Sequence, residues 1–153
     1  MVGNAKTRVL FVCTGNSGRS QIAEALLRHR HGDIYEVFSA GTRPDSLDPM
    51  VMGALSALGI DVSNARSKGL DGFRGMEFDI AVTLCDSARA LCPAVPGARR
   101  TIHRAFPDPA DFRGGREERL SAINRLIREI GDWLEETFGA GPPRADDAPV
   151  KFF

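Results

Sequence analysis

The segment Cys13-Thr14-Gly15-Asn16-Ser17-Gly18-Arg19-Ser20 combines a nucleophilic sulfur, a guanidinium and a loop of small residues. A loop of this kind, set between a strand and the first turn of a helix, directs several backbone N–H groups inward. The helix N-terminus adds partial positive charge. Gly15 and Gly18 permit the backbone angles of a tight curl, and Asn16 tolerates a left-handed one. The product is a nest for a tetrahedral oxyanion, lined by Thr14, Gly15, Asn16, Ser17, Gly18, Arg19 and Ser20. Arg19 offers a planar fork that matches two of the anion's oxygens. The field that holds an anion also stabilises a thiolate, and the Ser20 hydroxyl can donate to the sulfur. Cys13 thus reads as a nucleophile aimed at the central atom of a bound phosphate-like ion. The plainer alternative is a buried cysteine at a strand end and a solvated arginine on a helix.

The chain has three cysteines, Cys13, Cys85 and Cys92, an odd number that argues against a disulfide scaffold. Cys85 and Cys92 are spaced too widely for a good metal pair, and no fourth ligand is evident. His29 and His31, two apart near a helix end, do not supply it. Cys85 can be inert core. Cys92, before Pro93 in a polar, Ala-rich stretch, suits that role less well, and a dithiol relay accounts for both.

These groups need a scaffold. Arg8–Val12 is a short apolar run rich in β-branched residues, as expected of a strand covered on both faces. A helical pattern follows from Arg19 to about His31, then a strand at Ile34–Ser39, giving a right-handed βαβ crossover. Asp48 caps a helix that Pro49 begins and Gly59 ends. Residues 60–77 are polar, with a single helical turn. Phe78–Leu84 is a third strand, followed at once by Cys85, and Arg99–His103 is a weaker fourth. Arg104–Gly115 is loop. The last helix, Arg116–Phe138, places Leu120, Ile123, Ile127, Ile130, Leu134 and Phe138 on one stripe. Strands alternating with helices imply a parallel sheet with helices on both faces. Cys13, Cys85 and the loop from Arg104 all follow strands, at the carboxyl edge where ligands bind such sheets. Residues 1–139 form one catalytic α/β domain, and 140–153 read as a disordered tail.

Lys and Arg total 20, Asp and Glu also 20, so the formal net charge is zero. A basic nucleic-acid binder and a polybasic membrane-surface protein are thereby set aside. No apolar run approaches the roughly 18 residues of a membrane span, and the N-terminus lacks the order of a signal peptide. The expected setting is the cytoplasm.

Val12-Cys13-Thr14-Gly15-Asn16-Ser17-Gly18-Arg19-Ser20-Gln21-Ile22-Ala23-Glu24 resembles the signature of low-molecular-weight tyrosine phosphatases and of the thioredoxin-coupled arsenate reductases built on the same fold. The resemblance extends from about Arg8 to Phe138. It implies a three-layer α/β fold, a four-stranded parallel twisted sheet flanked by helices. Phe106-Pro107-Asp108-Pro109-Ala110 resembles the late Asp-Pro loop of both groups, which makes Asp108 the general acid; a plain turn-forming Asp-Pro pair is its rival reading. Thr83-Leu84-Cys85-Asp86-Ser87-Ala88-Arg89-Ala90-Leu91-Cys92-Pro93 resembles the redox segment of the reductases. Gln21 stands where the phosphatases usually have proline, and Ala110 where they carry tyrosines. Gly18 departs from both groups, which often place a cysteine there.

The resemblance implies a cascade. Cys13 attacks arsenate while Asp108 protonates the departing oxygen. Cys85 then attacks Cys13 and releases arsenite, and Cys92 attacks Cys85. Thioredoxin or a similar thiol reductant clears the last disulfide, and phosphate or sulfate would mimic the substrate. Residues 86–97 look loose enough to refold during the relay. No cofactor is called for, and the protein is expected to act as a monomer without nucleic acid or membrane. Some reductases of this group hold a potassium ion near the loop, at residues matched by Asn16, Glu24 and Ser39. Lys68 stands where an acidic residue would sit, so its ammonium replaces the ion or weakens the site, unless it is a solvated surface lysine. No metal is expected. The alternatives are an aryl or tyrosine phosphatase using Cys13, Arg19 and Asp108, and a non-enzymatic redox or oxyanion sensor with Arg99, Arg100 and Arg104 as its basic patch.

Overall fold

A computed structural model describes residues 5–91 and 94–143. Cys92 lies outside the described residues, as do 144–153 of the expected tail. The elements run β1 (Thr7–Cys13), α1 (Arg19–His31), β2 (Tyr35–Gly41), α2 (Pro49–Ala57), β3 (Ile80–Thr83), α3 (Asp86–Leu91), β4 (Thr101–His103) and α4 (Arg116–Phe138), with 3-10 turns at Leu70–Phe73 and Pro109–Asp111. The four strands are parallel, in the order β2-β1-β3-β4. This is the flanked parallel sheet that the alternating pattern predicts.

The reason lies in the strand sequences. Val9, Leu10, Phe11 and Val12 are all essentially inaccessible to solvent, so β1 is covered on both faces and sits at the centre of the sheet. On one face Phe11 meets the ring of Phe138 from α4 edge-on, with Tyr35 and Trp133 packed on the same ring. On the other, Leu10 and Phe38 share a register row, and Phe38, Phe73 and Phe78 form a three-ring cluster. The stripe of α4 buries Ile123, Ile127, Ile130, Leu134 and Phe138 against this core. Asp48 caps α2 as predicted, its Oδ1 accepting from Met50 N (3.0 Å) and Val51 N (3.3 Å).

Three expectations change. The third strand is shorter than 78–84, because Phe78 makes only an isolated bridge to Ala98. Asp86–Leu91, expected to be loose, is a helix whose one buried side chain is Ala88. Residues 140–143, assigned to the tail, are held to the domain: Arg100 Nη1 donates to Pro143 O at 3.0 Å. Among the described residues no helix is long and apolar enough to cross a membrane.

Tyr35 joins the two ends of the fold by donating its hydroxyl to Phe138 O at 2.8 Å. Burial raises its pKa to about 12. The folded protein therefore keeps this proton above pH 10, where the unfolded chain loses it. Stability from this group is full below pH 10 and falls as pH rises towards 12, by up to about 2–3 kcal/mol. Tyr35→Phe should cost about 1 kcal/mol at neutral pH and flatten that alkaline loss. Urea titrations of both proteins across pH 8–12 check this, and parallel curves would contradict it.

Candidate active site

The nest predicted between β1 and α1 is present, and its walls explain its shape. Cys13 O accepts from Thr42 N, Thr14 O from Arg43 N, Gly15 O from Asp45 N and Ser17 O from Asp48 N, at 2.8–3.1 Å. Asn16 O takes the Gln21 side-chain amide, and Gly18 O takes Ile22 N. Every carbonyl from 13 to 18 is thus turned outward and engaged. The amides of Gly15–Arg19 donate to no acceptor among the described residues, and Gly18 caps α1 without a side-chain bond. The donors are left for an anion in the cleft, a space of about 390 Å³ bounded also by Arg43, Pro44, Asp45, Asp108 and Ala110.

Asn16 is the left-handed residue of the loop, as expected, at φ 50°, whereas Gly15 and Gly18 are not at positive φ. The two glycines serve close approach. A Cβ on Gly18 would lie 2.8 Å from Pro109 Cγ, and one on Gly15 would lie 3.0 Å from Ser17 Oγ.

Cys13 is buried, and its Sγ lies 2.9 Å from Ser20 Oγ. That hydroxyl already accepts from Asn16 Nδ2 at 2.7 Å. Its own proton is therefore free to point at the sulfur, the bond a thiolate accepts best. Asn16 Nδ2 also donates to Ser39 Oγ, and Ser39 donates to Glu24. Arg19 is 8% exposed. It donates to Phe106 O (3.1 Å) and pairs with Asp108 Oδ2 (3.2 Å), so guanidinium and predicted acid already meet over the nest. Asp108 Oδ1 caps the following turn through Ala110 N.

Cys85 sits at the same edge. Leu84 N donates to Val12 O, carrying the parallel register past the end of β3. Cys85 Sγ then lies 3.3 Å from Thr14 Oγ1, beside the residue that follows Cys13. It also accepts from Ala88 N at 3.4 Å. Both cysteines are free thiols.

Lys68 is half-buried and tied down rather than loose on the surface. Its Nζ donates to Arg66 O at 2.7 Å and lies 3.4 Å from Ser39 Oγ and 3.7 Å from Glu24 Oε1. An ammonium therefore sits among the oxygens to which the resemblance gives a potassium ion, and a second cation does not fit there. Burial lowers the Lys68 pKa, Glu24 draws it back up, and Arg66 and Arg28 lower it again. Among the described residues no three metal-ligating side chains gather.

Sequence reasoning missed His103. Its Nδ1 lies 2.8 Å from Thr83 Oγ1 and its Nε2 3.0 Å from Asp86 Oδ1, on either side of Cys85 in the chain. A lone histidine after a short strand carries no motif, and only the β3–β4 register reveals its reach.

Lys68→Ala would empty this internal cation position. It should cost about 1–3 kcal/mol, and potassium, but not choline, should restore part of the loss in thermal melts. The unaltered protein should respond equally to both salts. Equal melts for the two proteins would refute the role.

Residues 8–138 match the model of the low molecular weight phosphotyrosine protein phosphatase family. An arsenate reductase of Bacillus subtilis is 39% identical over 128 residues, covering 84% of this chain and 92% of its own. A thioredoxin-dependent arsenate reductase of Corynebacterium glutamicum superposes with a TM-score of 0.60 at 31% identity, over 90% of this chain and 66% of that one. A low molecular weight tyrosine phosphatase from T. tengcongensis shares the fold, with a TM-score of 0.66 at 24% identity over 86% of this chain and 97% of its own. The chain belongs to the low molecular weight phosphotyrosine protein phosphatase family and stands there with its arsenate reductases.

Proposed function

We propose that the protein reduces arsenate to arsenite through a thiol–disulfide relay fed by thioredoxin or a similar dithiol. The observation that carries this reading is the second thiol at the rim of the nest, Cys85 Sγ at 3.3 Å from Thr14 Oγ1. Hydrolysis of a phosphate ester has no use for that sulfur, whereas a nucleophile oxidised by arsenic(V) needs one to resolve it.

Arsenate settles on the amides of Gly15–Arg19 and takes the Arg19 fork. The Cys13 thiolate attacks arsenic, and an oxygen leaves as water with the proton of Asp108. The Cys85 thiolate then attacks Cys13 Sγ. A sulfur–sulfur bond forms, and the electron pair of the sulfur–arsenic bond passes to arsenic, which departs as arsenite. Cys92 attacks Cys85 and frees Cys13, and the external dithiol reduces the Cys85–Cys92 bond. Arg19 bridges substrate and acid: an anion that draws its guanidinium loosens the pair with Asp108 and leaves that carboxyl free to act.

The same nest supports phosphate monoester hydrolysis by Cys13, Arg19 and Asp108, which we retain as the second reading. The cleft residues Arg43, Pro44, Asp45 and Ala110 offer no aromatic surface for an aryl group. Against a sensor, Arg100 is bonded to Pro143 O, and Arg104 lies over the Phe106 ring at 4.4 Å, so the basic patch is largely engaged within the fold. The enzyme works as a monomer in the cytoplasm, where thiols stay reduced.

Arsenate turnover with thioredoxin should vanish in Cys13→Ser, Cys85→Ser and Cys92→Ser. Hydrolysis of an aryl phosphate should be lost only in the first. Thioredoxin-linked turnover that survives in both resolving-cysteine variants would overturn the relay. Gly18→Ala tests the acid loop, because the new methyl must displace Pro109 and, with it, Asp108. Turnover should fall roughly tenfold or more, while phosphate still protects Cys13 from alkylation. Unchanged turnover would refute the Gly18–Pro109 contact as a constraint on the acid loop.

A further inference from the structure

The relay poses a geometric problem at α3. A disulfide needs Cα atoms within about 7 Å. The six residues of α3 separate positions 85 and 92. A helix advances about 1.5 Å per residue, so the seven steps from 85 to 92 would span roughly 10 Å along a continued helix. Bonding Cys85 to Cys92 therefore requires α3 to unwind, whereas the preceding attack on Cys13 requires Cys85 to stay aimed at the nest. Something must hold the one position while the neighbouring segment lets go.

His103 is placed to do so. Its ring is bound at both nitrogens, to Thr83 Oγ1 at 2.8 Å and to Asp86 Oδ1 at 3.0 Å. Thr83 is 1% exposed and belongs to the rigid sheet, while the Asp86 side chain is 83% exposed and begins the helix that must open. With Asp86 accepting from Nε2–H, neutral imidazole accepts the Thr83 hydroxyl proton at Nδ1. The two partners lie two residues before Cys85 and one residue after it. Beyond them, α3 is held by the Ala88 methyl in the core and by the bonds of Ala88 N and Arg89 N to Cys85 Sγ and O.

We propose that His103 is a positioning residue for the relay, an anchor between β3 and Asp86 that fixes Cys85 beneath Thr14 and confines unwinding to Ser87–Leu91. The inference rests on the reductase reading for its consequence in turnover, but the anchor itself is tested in the resting protein. His103→Ala removes the ring, and Asp86→Ala removes one partner at an exposed position where folding is not at risk.

In the reduced, full-length protein, hydrogen exchange of the Asp86–Leu91 amides should quicken at least tenfold in both variants. After rapid mixing with arsenate, mass-mapped quenched samples should show the Cys13–Cys85 disulfide forming about tenfold more slowly. Alkylation of Cys13 and its protection by phosphate should stay as in the unaltered protein. The double variant should be no slower than His103→Ala alone, since both changes break the same contact. Unchanged exchange would refute the anchor. Faster exchange with an unaltered rate of disulfide formation would refute its positioning role. If the unaltered protein forms no Cys13–Cys85 disulfide with arsenate, the reductase reading fails, and the exchange comparison still decides the anchor.

Discussion

The Asn16 carboxamide makes four hydrogen bonds while its own backbone stands at φ 50°. Its nitrogen donates to Ser20 and Ser39, and its oxygen accepts from Gln21 Nε2 and Lys68 N. A left-handed non-glycine residue costs free energy, and asparagine less than most. Here that cost is offset by a side chain with no unused donor. The turn at Asn16 sends the carbonyls of the loop outward and its amides inward. It also occupies one side of the Ser20 hydroxyl, which leaves the other for Cys13. On the proposed reading, the anion nest and the hydroxyl beside Cys13 both descend from one buried amide, backed by the Ser39–Glu24–Lys68 cluster.

The sheet supplies what the loop cannot. Cys13, Cys85 and Asp108 are far apart in sequence, yet each follows the carboxyl end of a parallel strand, and the order β2-β1-β3-β4 brings those ends side by side. Contacts at the edge then fix the details. Leu84 O accepts from Phe106 N, whose residue gives its carbonyl to Arg19. The Asp108 loop rests on Gly18 through Pro109. Sulfur, guanidinium and acid are thus linked by short-range bonds on a framework of long-range pairing.

Much of this was legible from residue types. The apolar run at β1, the cap at Asp48, the stripe of α4 and the cysteine–arginine loop follow from periodicity and local chemistry, which act within a few residues. What escaped was decided at long range. The glycines of the nest looked like conformational necessities, but the neighbours that need their space are Pro109 and Ser17, and the Pro109 contact is invisible in the local sequence. The short α3 carries only Ala88 as a buried residue, too little for a pattern. His103 bears no motif, and its partners Thr83 and Asp86 come within reach only once β3 and β4 lie in register.

The outward carbonyls of the loop have a further consequence. Those of Cys13, Thr14, Gly15 and Ser17 are taken by the main-chain amides of Thr42, Arg43, Asp45 and Asp48, so the connection from β2 to α2 backs most of the nest. Main-chain atoms make these four bonds, while the side chains here serve elsewhere: Asp48 caps α2, and Arg43, Pro44 and Asp45 bound the cleft. The bonds therefore constrain the length of the connection. An insertion or deletion of a single residue there would shift the amides that follow it away from their carbonyls and weaken oxyanion affinity.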